Sequence, residues 1–416
     1  MLKLGTAKRC ITPLAPVRMA GYATRMGPFD GVIQDIFTRV YVLEQARKQV
    51  VLVYGDLLWW NSMFIAWARP KLAELLDIPQ EQILFVASHN HSGPGTGDNF
   101  TALLETVDKS YTQYLYQQVE EAVLQAQQNL EQVVAICHRG SCKLNVYRRI
   151  MTERGITMAP NYTVPADEHL TLVRFQRVDG RDKGLLIHYP CHANLSDGNQ
   201  IHPDYPGVAM ELLEEESPDC LPLFLQGCTG DLRPNSVLGG RFVSQNFDGV
   251  KKFARQFADQ CLQTMRNPGQ LLGEELKICR VTEKLPVEQS CIQERRECAE
   301  AGDLACQQWI AECEKKQFRS YELLELTRLE LGGLNFFFFN SEVSQYYSAY
   351  ARKLKPGALT SGYTNGMIGY LADERQIREG GYEPEGSAVY FAVAGVYSSH
   401  IQRIIESTLE NLSNDQ

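Results

Sequence analysis

The sequence predicts an α/β protein, with a mixed β-sheet core layered with helices and a metal site at the strand ends. Apolar runs of strand length alternate with longer segments of helical spacing, a pattern typical of layered α/β domains. Several of these apolar runs stop abruptly at polar residues. Because ligands in such folds bind beyond the strand ends, these polar residues are the first candidates for a functional site.

Strands and helices are assigned from the period of the apolar residues. Strands are predicted at residues 31–43, 49–58, 83–87, 133–148, 170–177, 185–192 (running into polar residues at its end), 221–226 and 334–340. Helices are predicted at residues 64–76, 103–130 (with a break near Asp108), 242–265, 343–354 and 390–412. No internal repeat or low-complexity linker divides the chain, so one domain over residues 1–416 is expected.

The composition of the 416-residue chain excludes several classes of partner. It is 44% hydrophobic and 22% charged, which is ordinary for a globular protein. Its net charge of -9 opposes binding to nucleic acid or to an anionic membrane. No apolar run reaches membrane-spanning length, and the first residues do not resemble a signal peptide. We therefore expect a cytoplasmic protein without integral membrane association, and leave a homo-oligomer open.

Two histidines one residue apart follow the strand predicted at residues 83–87. Residues i and i+2 of an extended segment point to the same side, so His89 and His91 can direct two imidazoles at one point. Two convergent imidazoles are a common beginning of a Zn²⁺ site. The alternative is a pair of polar loop histidines, because a bare His-x-His pattern often arises without a metal.

Three further polar residues follow apolar strands, and a tyrosine stands in a glycine-rich stretch beyond them. These candidates are His192, Asp231, Glu342 and Tyr370. Two imidazoles and a carboxylate with one open position are the usual ligands of a catalytic zinc, and a tyrosinate can complete the set. Three of them have a simpler explanation: His192 as a loop histidine, Glu342 as a carboxylate at a helix N-terminus and Tyr370 as a core tyrosine.

A charged helical insert at about residues 286–317 contains four cysteines. Within each of two pairs the spacing is seven residues, and a turn at 301–303 would place the pairs opposite each other on antiparallel helices. The four are Cys291, Cys298, Cys306 and Cys313. Three explanations stay open: a twin disulfide, a thiolate metal site, or buried thiols in a helical seam. The third is favoured because cytosolic thiols are normally kept reduced.

Seven motifs, taken in order along the chain, resemble those of the neutral/alkaline (non-lysosomal) ceramidases, which are zinc-dependent amidases. The resemblance is to a divergent member with the catalytic domain only, without the family's C-terminal β-sandwich domain. The motifs are Ile11-Thr12-Pro13 with Ala20-Gly21-Tyr22, Ser88–Pro94, Asn145–Arg149, His192 with Asp204 and Gly207, Gly230–Asn235, Ser341-Glu342, and Tyr370 with Tyr382.

The resemblance implies a role for each matched residue. One Zn²⁺ per chain would be held by His89, His192, Glu342 and Tyr370. His91 would transfer a proton or contact the substrate, and Arg148 and Tyr382 would contact the substrate or the developing oxyanion. Zinc would lower the pKa of water and polarise the scissile carbonyl.

Arg233 departs from the family pattern, because a serine that the ceramidases require stands at its position in the Gly230–Asn235 hexapeptide. A serine nucleophile is thereby excluded, whereas hydrolysis by activated water is not. An added cation favours an anionic substrate through a bidentate contact, so Arg233 is a candidate substrate-binding residue. Asp231, in the same hexapeptide, is a second candidate. The alternative is a surface arginine or an ion pair between Arg233 and a carboxylate such as Asp231.

These observations favour a zinc-dependent hydrolase that cleaves the amide bond of a soluble, anionic N-acyl substrate. The block after His192 is shorter than in the ceramidases, which also weighs against a membrane sphingolipid. Three alternatives are kept. They are a true ceramidase (an N-acylsphingosine amidohydrolase), a catalytically inactive binding or scaffold protein, and a non-hydrolytic enzyme with a metal such as iron.

Overall fold

The computed structural model of the protein describes residues 1–25 and 27–414. Its strands, in chain order, are β1 Lys3–Cys10, β2 Gly31–Val32, β3 Phe37–Gln45, β4 Lys48–Gly55, β5 Ile83–Ala87, β6 Glu131–Ser141, β7 Asn145–Thr152, β8 Gly155–Asn161, β9 His169–Arg177, β10 Asp182–Tyr189, β11 Gln200–Ile201, β12 Leu221–Gln226, β13 Leu232–Pro234, β14 Val237–Leu238, β15 Arg241–Phe242, β16 Gln270–Leu271, β17 Leu276–Glu288, β18 Tyr321–Leu331, β19 Leu334–Phe339, β20 Glu342–Val343, β21 Leu359–Ser361, β22 Tyr370–Leu371 and β23 Val396–Tyr397.

The helices lie between these strands and at the end of the chain. They are α1 Ser62–Leu76, α2 Lys109–Gln128, α3 Asp204–Glu216, α4 Phe247–Thr264, α5 Ile292–Glu300, α6 Leu304–Lys315, α7 Gln345–Leu354, α8 Glu374–Glu379 and α9 Ile401–Asn414. Short 3₁₀ turns occupy Gln80–Gln82 and Gly386–Val389. Among the described residues, no helix combines the length and apolar character needed to cross a membrane.

A nine-stranded mixed sheet forms the centre of the described chain. Eight strands run in the order β12-β10-β9-β6-β1-β3-β4-β5, and β16 pairs with β6 beside them. The pairs at the two ends, β12 with β10 and β4 with β5, are parallel, whereas the pairs between them are antiparallel. Tyr41 on β3 hydrogen-bonds to Leu221 on β12 and Leu185 on β10, so the sheet curls back toward its other end.

Helices pack on both faces of the large sheet. Successive residues along β3 and β4 therefore alternate between two hydrophobic cores. Val40, Val42, Val51 and Val53 pack with α1 and α2 in one core. Tyr41, Leu43, Val50 and Leu52 pack with α3 and α4 in the other. This two-residue alternation is the expected geometry of a strand with both faces buried. The predicted fold class, a mixed sheet layered with helices, is confirmed.

A second, five-stranded sheet with the order β21-β19-β18-β17-β23 lies beside β5. The loop that follows β21 joins the two sheets: Phe85 N donates to Asn365 Oδ1 at 2.8 Å, and Val86 forms an isolated bridge with Thr364. After β19 the chain enters β20, which pairs in parallel with β22. The second sheet therefore delivers β20 and β22 to the end of β5.

Several predicted element bounds are corrected by the structure. The strand predicted at residues 133–148 is two strands, β6 and β7, because the chain turns at 142–144: β6 pairs with β9 as far as Ser141, whereas β7 pairs with β8 and β13. The helix predicted from residue 390 begins only at Ile401, and the apolar residues before it pack under the helical insert. Residues 103–108 are not helical; Asp108 caps α2, which explains the break predicted there.

The cysteine-bearing insert is an antiparallel hairpin of α5 and α6 between β17 and β18. Its cysteines do not form a buried seam, because Cys298 is exposed, Cys291 and Cys306 are half-buried, and Cys313 alone of the four is buried. The favoured hypothesis of four core thiols is therefore wrong for Cys298. The thiolate metal site is also unsupported, because the one cluster of possible metal ligands among the described residues is made of histidines.

Candidate metal centre

Three buried imidazoles meet where two strands of the large sheet end. His89 and His91 follow β5, and His192 follows β10. The Nε2 atom of His91 lies 3.3 Å from His89 Nε2 and 3.1 Å from His192 Nε2. One nitrogen of each ring lies within 4.8 Å of the others. The prediction that His89 and His91 aim at one point with His192 agrees with this geometry, which also makes His91 a possible ligand.

His89 holds its ring in place at the cost of an unusual backbone conformation. Its φ of 61° lies in the left-handed region, which costs a non-glycine residue about 1–3 kcal/mol. The ring is fixed on two sides: Nδ1 lies 3.1 Å from Leu58 O, and the Tyr363 ring stacks on it at 4.0 Å between centroids. Such local strain, held by surrounding contacts, is common at ligand sites.

Glu342 and Tyr370 come to the centre on β20 and β22, the two-stranded sheet that follows the second sheet in the chain. Glu342 Oε2 lies 3.3 Å from His89 Nε2, and Glu342 Oε1 lies 3.6 Å from His192 Nδ1. Glu342 Oε1 is buried and has no hydrogen-bond partner. Tyr370 faces Glu342 directly in the parallel register of β20 and β22. The strand pairing thus places a carboxylate and a phenol side by side next to the imidazoles.

Arg148 on β7 contacts two of the candidate ligands, His192 and Tyr370, and the carboxylate of Glu383. It donates from Nε to Glu383 Oε1 at 2.9 Å and from NH2 to the Tyr370 hydroxyl at 3.2 Å, and its NH1 lies 3.4 Å from His192 Nδ1. Only 2% of Arg148 is exposed. Burial works against the charged form, but Tyr370, Glu383 and Glu342 outweigh it and raise the pKa of Arg148. The guanidinium is therefore a fixed cation beside Tyr370.

The donor set fits a divalent metal ion, and zinc in particular. Burial, followed by the charge of neighbouring His89, lowers the pKa of both His91 and His192, so both rings are neutral at neutral pH. A metal needs neutral imidazoles, because their lone pairs make the bond. Together with the unpartnered oxygen of Glu342, they match the nitrogen and carboxylate ligands of catalytic zinc. The zinc implied by the ceramidase resemblance is thus compatible with the residues present.

Tyr382 and Asp231 occupy different positions relative to this centre. The Tyr382 ring is 38% exposed and lies 5.6 Å from the Tyr370 ring, at the outer edge of the site. Asp231 is buried, and its carboxylate accepts from Gln345 N at 2.9 Å and Gln376 Nε2 at 2.7 Å. Asp231 thereby binds the N-terminus of α7, and its contact with a substrate stays a prediction.

Arg233 lies on β13, which pairs with β7. Within the described part of the chain its guanidinium contacts Met158 Sδ at 3.7 Å and the Phe242 ring at 4.8 Å, and it forms no ion pair. The predicted alternative of an ion pair with Asp231 is therefore not supported. The charge of Arg233 nevertheless contributes, after burial and nearer groups, to the lowered pKa of His91 and His192. Arg233 is thus a cation near the centre that forms no ion pair in the described chain, although the charge of Asp197 acts on it from further away.

Four residues support the site although the sequence analysis assigned no role to any of them. Tyr363 stacks on His89, and Glu383 bridges the guanidinium groups of Arg148 and Arg149. Arg25 donates to the backbone carbonyl of His91, and Gly21 has no room for a side chain beside the His91 ring. Glu383 adjoins the predicted Tyr382, which was a usable signal. Nothing in the sequence connects Arg25 with the histidines, because only the fold brings them together.

Comparison with known proteins agrees with the motifs. Residues 2–261 match the family model described as neutral/alkaline non-lysosomal ceramidase, N-terminal. The neutral ceramidase of Pseudomonas aeruginosa is 24% identical over 293 residues, which cover 65% of this chain and 43% of that protein. The chain therefore spans less than half the length of this relative.

Solved structures extend the similarity of fold over the rest of the chain. The crystal structure of neutral ceramidase from Pseudomonas aeruginosa superposes with a TM-score of 0.79 at 16% identity, covering 99% of this chain and 74% of that one. A ceramidase complexed with C2 gives a TM-score of 0.78 at 15% identity over the same shares. Because the family model matches more than half of the chain, this chain belongs to the neutral/alkaline non-lysosomal ceramidase family.

Proposed function

We propose that this chain is a metal-dependent hydrolase of an amide bond. The observation that carries the proposal is the convergence of three buried imidazoles with the buried Glu342 carboxylate, one oxygen of which has no hydrogen-bond partner. His89, His192, Glu342 and Tyr370 would hold one Zn²⁺ per chain, with His91 close enough to exchange roles with either histidine. When bound, zinc supplies a water molecule of lowered pKa and a Lewis acid for the scissile carbonyl.

The remaining residues would orient the reacting groups. Arg148 holds the Tyr370 hydroxyl and faces His192, so both side chains keep one orientation. Burial and the charge of Glu342 raise the pKa of Tyr370 and outweigh the opposing charge of Arg148, so a tyrosinate ligand would require the bound metal. His91 Nε2 is the closest further proton carrier, and we assign it the transfer of a proton to the leaving amine. Tyr382, exposed at the edge of the site, would contact the acyl substrate as it enters.

We extend the proposal to a soluble, anionic N-acyl substrate. Arg233 lacks an ion-pair partner in the described chain, and its charge reaches His91 and His192. Arg25 is only 5% exposed, and its Nε and NH2 atoms are buried without a hydrogen-bond partner. Two incompletely paired guanidinium groups beside His91 favour a carboxylate on the substrate, since a charged hydrogen bond would satisfy them. The name of the relatives favours ceramide, a neutral amide, as the second candidate.

Elemental analysis of the purified protein tests the metal. We expect about one zinc per chain in the wild type and its loss in both Glu342→Ala and His192→Ala. His169→Ala, at an exposed histidine on β9, serves as the control and should retain the metal. Iron in place of zinc would favour the non-hydrolytic alternative. A wild type that stays free of metal after zinc is supplied would contradict the proposal and favour a binding protein.

A paired substrate assay tests the anionic class. We expect hydrolysis of a short N-acyl amino acid to exceed that of ceramide in mixed micelles. Arg233→Gln should lower kcat/KM for the N-acyl amino acid by about 10- to 100-fold, the value of one charged hydrogen bond. Arg241→Gln, at an exposed arginine on neighbouring β15, should have no effect. Preference for ceramide, unchanged by Arg233→Gln, would instead identify a true ceramidase.

A further inference from the structure

The turn of the α5–α6 hairpin brings Cys298 and Cys306 close to each other. Asp303 contacts both residues: its N donates to Cys298 O at 3.0 Å, and its Oδ1 accepts from Cys306 N at 2.8 Å. One residue further along each helix, Gln307 Nε2 donates to Ala299 O at 3.0 Å. These bonds hold the last turn of α5 against the first turn of α6 at the level of the two thiols.

At the open end of the hairpin, hydrogen bonds join the segments on which Cys291 and Cys313 lie. Phe318 N donates to Cys313 O at 2.8 Å, and the Gln289 side chain donates to Phe318 O. The segment that enters α5 is thereby joined to the segment that leaves α6. Cys291 and Cys298 are seven residues apart at α5, and Cys306 and Cys313 are seven apart along α6. Because the two helices are antiparallel, the cysteines at α5 face those of α6.

The electrostatic environment of the thiols agrees with this pairing. Burial raises the pKa of Cys306 to about 11, and Asp303 and Cys298 act in the same direction. Burial raises the pKa of Cys313 to about 12, and Cys291 acts in the same direction. The pKa of Cys306 is therefore affected by Cys298, and the pKa of Cys313 by Cys291. These are the pairs that face each other across the hairpin.

We propose that the hairpin is a reversible dithiol–disulfide site in which Cys298 pairs with Cys306 and Cys291 with Cys313. The exposed and half-buried positions of three of these thiols make them accessible to a redox partner, which four core thiols would not be. A metal-binding tetrad is disfavoured because, in the described chain, no three of these sulfurs approach one another closely enough to share an ion. Two separate pairs remain.

The chemistry requires an external disulfide, and oxidised glutathione is the type we name. The Cys298 thiolate attacks one sulfur of that disulfide and releases one thiol. The Cys306 thiolate then attacks the mixed disulfide at Cys298 and releases the second thiol. Each protein disulfide therefore costs two thiol protons and two electrons, and the external disulfide is reduced to two thiols. The pair of Cys291 and Cys313 follows the same balance.

Closing the pairs would fix one wall of the metal centre. Trp309 Nε1 donates to Val393 O at 2.7 Å, and Lys316 Nζ, just after α6, donates to Phe391 O at 3.3 Å and Ala392 O at 3.4 Å. The next residue back, Phe391, packs its ring 5.9 Å from Tyr370 and 5.6 Å from Trp59. The hairpin is thus in direct contact with the segment that leads from Tyr382 back to the site, and crosslinks would restrict its opening.

Disulfide mapping on the full chain tests the pairing. The protein is incubated with reduced or oxidised glutathione, alkylated with N-ethylmaleimide and digested with a glutamate-specific protease, which cuts at Glu300 and Glu312 between the cysteines. We expect crosslinked peptides for Cys298 with Cys306 and for Cys291 with Cys313 after oxidation, and four alkylated thiols after reduction. Complete alkylation after oxidation, or any other pairing, would overturn the proposal.

Hydrogen exchange tests the effect on the wall, independently of any catalytic activity. Oxidation should slow amide exchange several-fold in residues 386–394 of the wild type. The Cys291→Ser, Cys298→Ser double variant, which leaves buried Cys313 intact, should not respond to glutathione. Cys10→Ser, at a half-buried thiol on β1, is the control and should respond like the wild type. Equal amide exchange of residues 386–394 in the reduced and oxidised wild type would overturn the proposal that the disulfides restrict this segment.

Discussion

Gly21 lies against the His91 ring so closely that any side chain would displace the ring. Its φ is 98°, and a Cβ atom added there would lie 2.6 Å from His91 Nδ1. We therefore expect Gly21→Ala to weaken zinc binding or catalysis by about 10- to 100-fold, the usual effect of disturbing a group that orients a metal site. Zinc titration and amide hydrolysis measure this effect.

The control for this substitution separates crowding from backbone strain. Gly155 has a similar φ of 92°, but nothing lies within 4 Å of an added Cβ atom. Gly155→Ala should therefore lose only the free energy of unfolding that an alanine at positive φ costs, about 1 kcal/mol. Its zinc binding should stay normal. If both variants bound zinc normally, the contact between Gly21 and His91 would have no role in the centre.

Glu383 is the common acceptor for two buried guanidinium groups. It accepts from Arg148 Nε at 2.9 Å through one oxygen and from Arg149 through the other. Removing the carboxylate leaves both cations buried without it, which typically costs about 3–5 kcal/mol. We expect Glu383→Ala to lower the free energy of unfolding by that order in urea titration.

Glu385 provides the matched control, because it is exposed and only two residues away. Glu385→Ala should change the free energy of unfolding by less than about 0.5 kcal/mol, as is usual for an exposed side chain without strong contacts. Equal losses in the two variants would mean that the Glu383 bridge does not stabilise the protein. The catalytic rate should also fall in Glu383→Ala, since Arg148 loses the carboxylate that orients it.

At the scale of elements, α7 begins at Gln345, three residues after the candidate ligand Glu342. Ser344 caps this helix: its Oγ accepts from Tyr346 N at 3.1 Å and donates to Asp373 Oδ2 at 3.4 Å. We expect Ser344→Ala to lower the free energy of unfolding by about 1 kcal/mol, the usual value of an N-cap. Zinc binding should persist, because Glu342 N is held separately by Gly369 O at 3.0 Å.

Ser110→Ala is the control for the cap. Ser110 is an exposed serine in the first turn of α2, where Asp108 is the capping residue. Its replacement should leave the free energy of unfolding within about 0.5 kcal/mol of the wild type in urea titration. A loss in Ser344→Ala no larger than in Ser110→Ala would contradict the capping role.

Strands and helices with a clear period of apolar residues were predicted well. Strands that exist only through pairing with another strand were not. The buried strand at 221–226 has the bounds of β12, and α1 extends the predicted 64–76 by only two residues. By contrast, β20 and β22 are two residues long and exist because they pair with each other. A pair this short has no period of its own, so its presence and its register depend on the sheet that delivers it.

Across the whole molecule, the buried His188 makes stability depend on pH. Burial lowers its pKa from 6.5 to about 4, and its Nε2 atom lies 2.8 Å from Thr360 O. Between these two pH values the unfolded chain binds a proton that the folded chain does not. Unfolding therefore takes up a proton, and stability falls as the pH drops from 6.5 to 4. The full difference is about 3 kcal/mol.

His188→Gln isolates this contribution, because the amide can still donate to Thr360 O but does not titrate. We expect its free energy of unfolding to fall less than that of the wild type between pH 6.5 and pH 4. The comparison with the wild type is essential, since three carboxylates change stability in the opposite direction. Burial raises the pKa to about 6 in each of them: Asp56, Asp204 and Asp231.

Urea titration at several pH values measures the difference between the two proteins. His400→Gln, at an exposed histidine near the start of α9, is the control and should follow the wild type throughout. If His188→Gln ran parallel to the wild type over this range, the protonation of His188 would not be coupled to folding.

The sequence by itself determined the fold class, the family and the candidate residues that the structure brings close together at His89, His91 and His192. Those features rest on local information: the period of the apolar residues, and short motifs such as His89-Asn90-His91 that stand at strand ends. The tertiary structure decided how these residues are held. Arg25, Tyr363 and Glu383 reach the centre from distant parts of the chain, and Arg233 stands there without an ion pair in the described chain. Contacts between residues far apart in sequence have no local pattern, because they exist only once the two sheets pack together.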